Sequence, residues 1–187
     1  MRIRLILAFF AAASVLVIAC LLPLAAQVSV DCSEPKLPDA ATKLLKTQFP
    51  SWRPKQVSDL DEDNRGLWSK AHDRQCPGIA VGRFERADKS DYALLLVPNV
   101  NPGSGYKLIL LGTSRTGDYT VRVVDHAEGP TYSGLVISTL PPGKYSDFGG
   151  RKSVRIKLDS IHLEWIEKGA QLFYWSASRY HKLQISD

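Results

Sequence analysis

The sequence predicts an α+β fold, with two short N-terminal helices packed on a twisted, mainly antiparallel sheet of seven to nine strands. Three observations carry that reading. Residues 37–49 place apolar side chains at helical spacing; from Ile79 onward the apolar residues fall in short β-branched and aromatic runs; and Gly, Pro, Asn and Asp clusters separate those runs. With 44% apolar and 23% charged residues in 187, the composition is that of an ordinary folded domain. Residues 27–187 are the size of one domain with one core.

The first 26 residues are of a different kind. Met1-Arg2-Ile3-Arg4 is followed by an apolar run over residues 5–26, which reads as a signal peptide or N-terminal anchor. Three fates are open: cleavage after Ala26, retention as a bilayer anchor, and lipidation at Cys20, where Val17-Ile18-Ala19-Cys20 resembles the bacterial lipobox. All three put the domain outside the cytoplasm, periplasmic or secreted in the first case and membrane-held in the others. In that setting Cys32 and Cys76 are expected to form a disulfide, worth about 4 kcal/mol in chain entropy. Neither has the Cys-x-x-Cys or His spacing of a metal or redox site.

Taken in order, Leu37, Ala41, Leu44, Leu45 and Phe49 mark a first helix that Pro50 ends. Trp52, between Pro50 and Pro54, is expected to pack on the core. A second helix is expected to start at Ser58 or Asp59 as N-cap, with Asp61, Glu62 and Asp63 in its first turn and Leu60, Leu67 and Trp68 on its buried side. Tyr92 to Val97 is apolar at every position, as in a central strand covered on both faces. Residues 98–105 form a loop into a second apolar strand at residues 106–111. Tyr119, Val121 and Val123 alternate with polar neighbours, and residues 135–140 make another strand. Residues 141–151 are expected to form a long irregular loop. Val154, Ile156 and Leu158 alternate, then Ile161, Leu163 and Trp165 do so with the parity shifted, which predicts a bulge at Asp159-Ser160. Residues 172–175 and 179–185 complete the strands.

The stretch Gly82-Arg83-Phe84-Glu85-Arg86-Ala87-Asp88-Lys89-Ser90-Asp91-Tyr92-Ala93 resembles one unit of the FG-GAP, integrin-type propeller repeat, whose acidic turn binds calcium. Arg83 and Ala87 stand at two ligand positions and leave Glu85 and Asp91, so the resemblance implies a strand, turn, strand hairpin without its metal. With Cys76-Pro77-Gly78 before it and Leu172-Phe173-Tyr174-Trp175 near the end, the chain is similar to small exported bacterial proteins without an assigned activity.

The four histidines, His72, His126, His162 and His181, lack metal-site spacing, and no Gly-x-Ser-x-Gly elbow is present. An enzyme is therefore disfavoured, and neither metal nor cofactor is expected. The alternative reading is an extracytoplasmic hydrolase drawing on Asp91, His126, His162 and Glu164 from separate strands. The net charge of +5 includes Arg2 and Arg4, and the basic residues look scattered, so nucleic acid is not an expected partner. The loop over residues 141–151 is different, because Tyr145 and Phe148 flanked by Lys144 and Arg151 could form a sticky rim. The expected role is an exported, non-enzymatic binding or envelope-associated module, its partner an envelope protein, peptide or glycan, touching the membrane only through the N-terminal segment if that segment is retained or lipidated.

Overall fold

A computed structural model describes Cys32 and residues 35–73, 75–114 and 117–187. The expected leader, with its alternatives of cleavage at Ala26 and lipidation at Cys20, lies outside the described residues.

The first helix, α1 (Asp39–Gln48), buries Ala41 and Leu45, and the Phe49 amide closes its last turn on the Leu45 carbonyl at 2.7 Å before Pro50 stops it. Strand β1 (Trp52–Pro54) follows, then a 3-10 turn (Val57–Asp59) and α2 (Glu62–His72). The N-cap of α2 is Asp61, which accepts the Asn64 amide at 2.9 Å, rather than Ser58 or Asp59. Asp59 is committed elsewhere: its carboxylate accepts the Gln56 amide and both arms of the Arg53 guanidinium, the latter at 2.6 Å each. Leu67, expected inside, is 39% exposed, and α2 docks through Trp68.

The strands that follow are β2 (Ile79–Gly82), β3 (Asp91–Pro98), β4 (Gly105–Thr113), β5 (Tyr119–Glu128), β6 (Leu135–Leu140), β7 (Gly143–Ser146), β8 (Ser153–Ile156), β9 (Ser160–Trp165), β10 (Gly169–Ser176) and β11 (Arg179–Ser186). Among the described residues they make three antiparallel sheets rather than one. The first runs β1-β3-β4-β5 with β2 also on β3, the second runs β11-β10-β9-β6, and β7-β8 is a separate hairpin. The bulge expected at Asp159-Ser160 is instead the crossing from that hairpin into the second sheet. The hairpin also replaces most of the irregular loop expected over residues 141–151.

Strands β1 and β2 lie end to end along one edge of β3. They meet at Leu95, whose amide donates to the Gly78 carbonyl and whose carbonyl accepts the Lys55 amide, both at 2.9 Å. Only glycine fits at position 78, since a Cβ there would lie 2.4 Å from the Lys55 nitrogen.

The two larger sheets pack face to face. Ala93, Leu95, Leu108 and Leu110 of the first meet Leu135, Ile137, Ile161, Leu163 and Phe173 of the second. On the opposite face of the first sheet, Leu94, Leu96, Ile109 and Leu111 lie under α1. The continuous apolar runs of β3 and β4 follow from this double burial. The outer face of the second sheet is covered at one end by α2, through Trp68 on Val136 and Ile166, and at the other by β8, through Ile156 on Leu172 and Leu183. The two helices therefore sit on opposite sides of a sandwich. Alternation reports which face is wet, not which strands pair, and so it cannot separate one sheet from two.

A polar network holds α2 in place. Lys55 is 3% exposed and its Nζ donates to the Ser133 carbonyl at 2.5 Å. The Ser133 hydroxyl donates to Asp61, whose carboxylate also accepts the Asn64 side-chain amide at 2.7 Å, and that amide reaches the Tyr132 hydroxyl at 3.1 Å. These bonds tie α2 to the loop that enters β6.

The structure contains no Cys32–Cys76 bond. Cys32 packs half-buried against the cluster of Val57, Leu60 and Trp68, while Cys76 is buried in the turn ahead of β2. An even number of cysteines fixes a count, and their geometry is set by where those two segments dock.

Candidate functional site

The outer face of the second sheet carries the features from which a site can be built. Along β9, Ile161 and Leu163 point into the sandwich, so His162 and Glu164 point outward. Ser138 on β6 is paired with His162, and Leu172 on β10 flanks it on the other side. Ser138 and His162 lie between the ground covered by α2 and that covered by the β7-β8 hairpin, whose Ile156 rests on Leu172. Beside it β6 runs next to β2 without a ladder, joined by Ile137 N–H to the Pro77 carbonyl at 2.9 Å and by the Thr139 hydroxyl to the Val81 carbonyl at 3.0 Å. A cleft of about 540 Å³ opens there, lined by Pro35, His72, Gln75, Ser138, Thr139 and Leu140 among others.

The Ser138 hydroxyl lies 3.1 Å from His162 Nδ1, and Glu164 Oε2 lies 3.9 Å from the same nitrogen. Burial, and then the nearby His72, hold the His162 imidazole below its ordinary range. Burial also raises the Glu164 carboxyl and lowers His72, which stacks on Trp68 at 4.0 Å between ring centres. A serine relay places hydroxyl and acid on opposite ring nitrogens. Here both converge on Nδ1, so the trio does not have the relay geometry. Of the residues in the hydrolase reading, His162 and Glu164 come together, whereas Asp91 and His126 belong to the first sheet, His126 exposed on β5. Ser138 and His72 were not singled out in the sequence; a serine between Val136 and Leu140 on an otherwise apolar outward face was the available signal.

The turn that resembles the FG-GAP unit joins β2 to β3. Glu85 there is taken by Arg122, with Nε to Oε1 at 2.8 Å. Asp91 is 4% exposed, and burial raises its carboxyl although backbone hydrogen bonds from Glu85 and Thr113 oppose the shift. One of its oxygens has no hydrogen-bond partner among the described residues. No group of three or more His, Cys, Asp or Glu side chains among the described residues could hold a metal ion.

The β7-β8 hairpin holds the four residues of the expected rim. Its register pairs Tyr145 with Val154 and Lys144 with Arg155. Tyr145 faces inward, with Val154 against the Ile156, Leu172 and Leu183 cluster, and its hydroxyl donates to the Pro141 carbonyl at 2.6 Å. It anchors the hairpin and is not part of a rim. Lys144 and Arg155 face solvent. At the tip Asp147 accepts the Lys152 amide at 2.7 Å, Gly149 and Gly150 take positive φ, and the Phe148 amide donates to the Gln184 carbonyl of β11 at 2.8 Å. That last bond fixes the tip backbone, yet the Phe148 side chain is 59% exposed.

Compared with protein-family models, curated proteins and solved structures, the chain gives no match.

The hairpin also gathers charge. Lys144, Arg151, Lys152, Arg155 and Lys157 stand against Asp147 alone, a net +4 over residues 143–157. With Arg2 and Arg4 set aside the chain carries +3, so everything else after the leader sums to slightly negative. The basic residues are spread along the chain, but the excess of positive over negative charge falls on this one segment. None of the five forms an ion pair among the described residues.

Proposed function

We propose that this domain is an extracytoplasmic, non-enzymatic binding module of the cell envelope, and that the β7-β8 hairpin is its binding face. The observation that carries the reading is the concentration of +4 on the hairpin and the residue that follows it, Lys157, with the tip backbone bonded to β11 while Phe148 projects into solvent. A side chain of that size left out of the core is informative when it sits within a charged patch. The leader supports the envelope address, and Pro35, close behind it in sequence, lines the same cleft as Leu140 at the foot of the hairpin.

The test is the fraction of residues 27–187, freed of the leader, that sediments with envelope at low salt. Lys144→Glu with Arg155→Glu should lower that fraction about ten-fold or more and leave the Tm within a few degrees, because both side chains are exposed. Unchanged sedimentation would refute the assignment of the hairpin.

The Ser138 to His162 contact is the one observation favouring a second reading, a hydrolase using His162 and Glu164. Ester turnover abolished by Ser138→Ala would support it, and turnover indifferent to that substitution would remove it.

A further inference from the structure

We infer that the hairpin's partner is the surface of an anionic lipid bilayer, which the hairpin meets with its basic face while Phe148 enters the interfacial layer. The inference rests on the reading of the hairpin as the binding face and adds the chemistry of what it binds.

Three observations point to a bilayer. First, Lys144 and Arg155 are directly opposed in register and both exposed. Like charges in that position repel, and no carboxylate in the described structure pairs with either. A dense field of phosphate headgroups would relieve the repulsion. Second, the exposed ring of Phe148 lies in sequence between Lys144 and the Arg151-Lys152 pair, at the end of the hairpin. A cationic surface with one protruding apolar ring matches a layer that is anionic outside and apolar a few ångströms below. A polyanion without that apolar layer would make no use of Phe148. Third, the ring is carried on a fixed backbone, through the Phe148 to Gln184 bond and the Asp147 turn, so little ordering is needed on contact.

Pro35, which follows the expected leader in sequence, lines the cleft at the foot of the hairpin, and contact through the hairpin differs from insertion of that leader. The leader's apolar run inserts without regard to headgroup charge and its Arg2 and Arg4 are untouched by changes in the hairpin, whereas contact through the hairpin is lost with Lys144 and Arg155. Each Lys or Arg close to an anionic surface contributes a gain in partitioning on the order of five-fold.

The experiment is cosedimentation of the mature protein, as the host produces it, with vesicles of phosphatidylglycerol and phosphatidylcholine in equal parts and with vesicles of phosphatidylcholine alone. The ratio of the two partition coefficients is the readout, and comparing the unaltered protein with its hairpin variants cancels whatever a retained or lipidated leader adds, Arg2 and Arg4 included. The ratio should be well above one, fall as salt is raised, and fall by roughly 25-fold, or to one, in Lys144→Gln with Arg155→Gln. Phe148→Ser should weaken binding to the anionic vesicles several-fold without altering retention of the protein on heparin. A ratio of one for the unaltered protein overturns the inference; if envelope sedimentation still depends on Lys144 and Arg155, the hairpin reading stands with a different partner. A ratio above one that neither variant changes overturns both. Loss of heparin retention and vesicle binding together in the double variant, with Phe148→Ser affecting neither, identifies a soluble polyanion as the partner and also overturns the inference.

Discussion

Lys55→Met should stabilise the domain at neutral pH by about 2 kcal/mol and cease to do so at high pH. Lys55 is 3% exposed, and burial pushes its amine down from 10.5 to about 8 even though Asp59 and Asp61 pull the other way. The drop is worth about 3 kcal/mol between the two protonation states. The unfolded chain holds this proton up to pH 10.5 and the folded chain only to about 8, so stability rises with pH across that window. At pH 7 the folded protein carries the full cost of the buried charge. Methionine keeps the buried stem and removes the charge, but loses the bond to the Ser133 carbonyl, worth about 1 kcal/mol. The difference between variant and parent should therefore be about +2 kcal/mol at pH 7 and about −1 kcal/mol at pH 10.5. Urea unfolding of both proteins across pH 7 to 10.5 reads this difference directly, and titrations common to both cancel. A variant less stable at pH 7, with a difference flat in pH, would refute the reasoning. It would mean that Asp59 and Asp61 hold the Lys55 charge more strongly than burial opposes it.

Two further outcomes concern the second sheet. Because burial, with His72, depresses His162, the unfolded chain takes up protons first as pH falls below 6.5, and stability should decline from there until the folded imidazole also protonates. Glu164, raised by burial, works in the opposite sense at lower pH, so the decline should level off; His162→Gln should flatten it, as thermal melts from pH 7 to 5 would show. In the turn between β10 and β11, Ala177 and Ser178 both take positive φ, at 48° and 63°. Ala177→Asn with Ser178→Gly, the pair suited to a two-residue hairpin, should raise stability by about 1 kcal/mol in a urea titration.

What could be read in advance divides along physical lines. The first helix was legible because its spacing and Pro50 are local facts, and β3 was legible because burial on both faces leaves a continuous apolar run. The start of α2 was misplaced because Asp59 has cap chemistry but spends it on Gln56 and Arg53, a choice made by a segment that folds back from β1. The β7-β8 hairpin was hidden by its Pro, Gly and Lys content, which looks like loop composition, although Tyr145 opposite Val154 supplies an inward pair. The charge excess of residues 143–157 is a sequence fact, and the register adds what sequence does not show: Lys144 and Arg155, eleven residues apart, stand side by side across the hairpin. In the cluster of Ser138, His162 and Glu164, the sequence offers His162 and Glu164 two residues apart on one face, whereas Ser138 reaches them only through pairing of β6 with β9.

The junction at Leu95 has a mechanical meaning. The chain leaves the edge of β3 at Lys55, builds α2, and returns at Gly78, with both ends of the excursion held by the two backbone bonds of one residue. In terms of load, α2 is wired in parallel with the first sheet and not in series with it. Lifting α2 from Trp68's seat would uncover Val136 and Ile166 at one end of the second sheet, while tension along the chain would still pass through β1, Leu95 and β2. Release of the helix would cost the Asp61 and Asn64 bonds to the loop that enters β6 and the Trp68 packing, but none of the backbone bonds that hold this edge of β3.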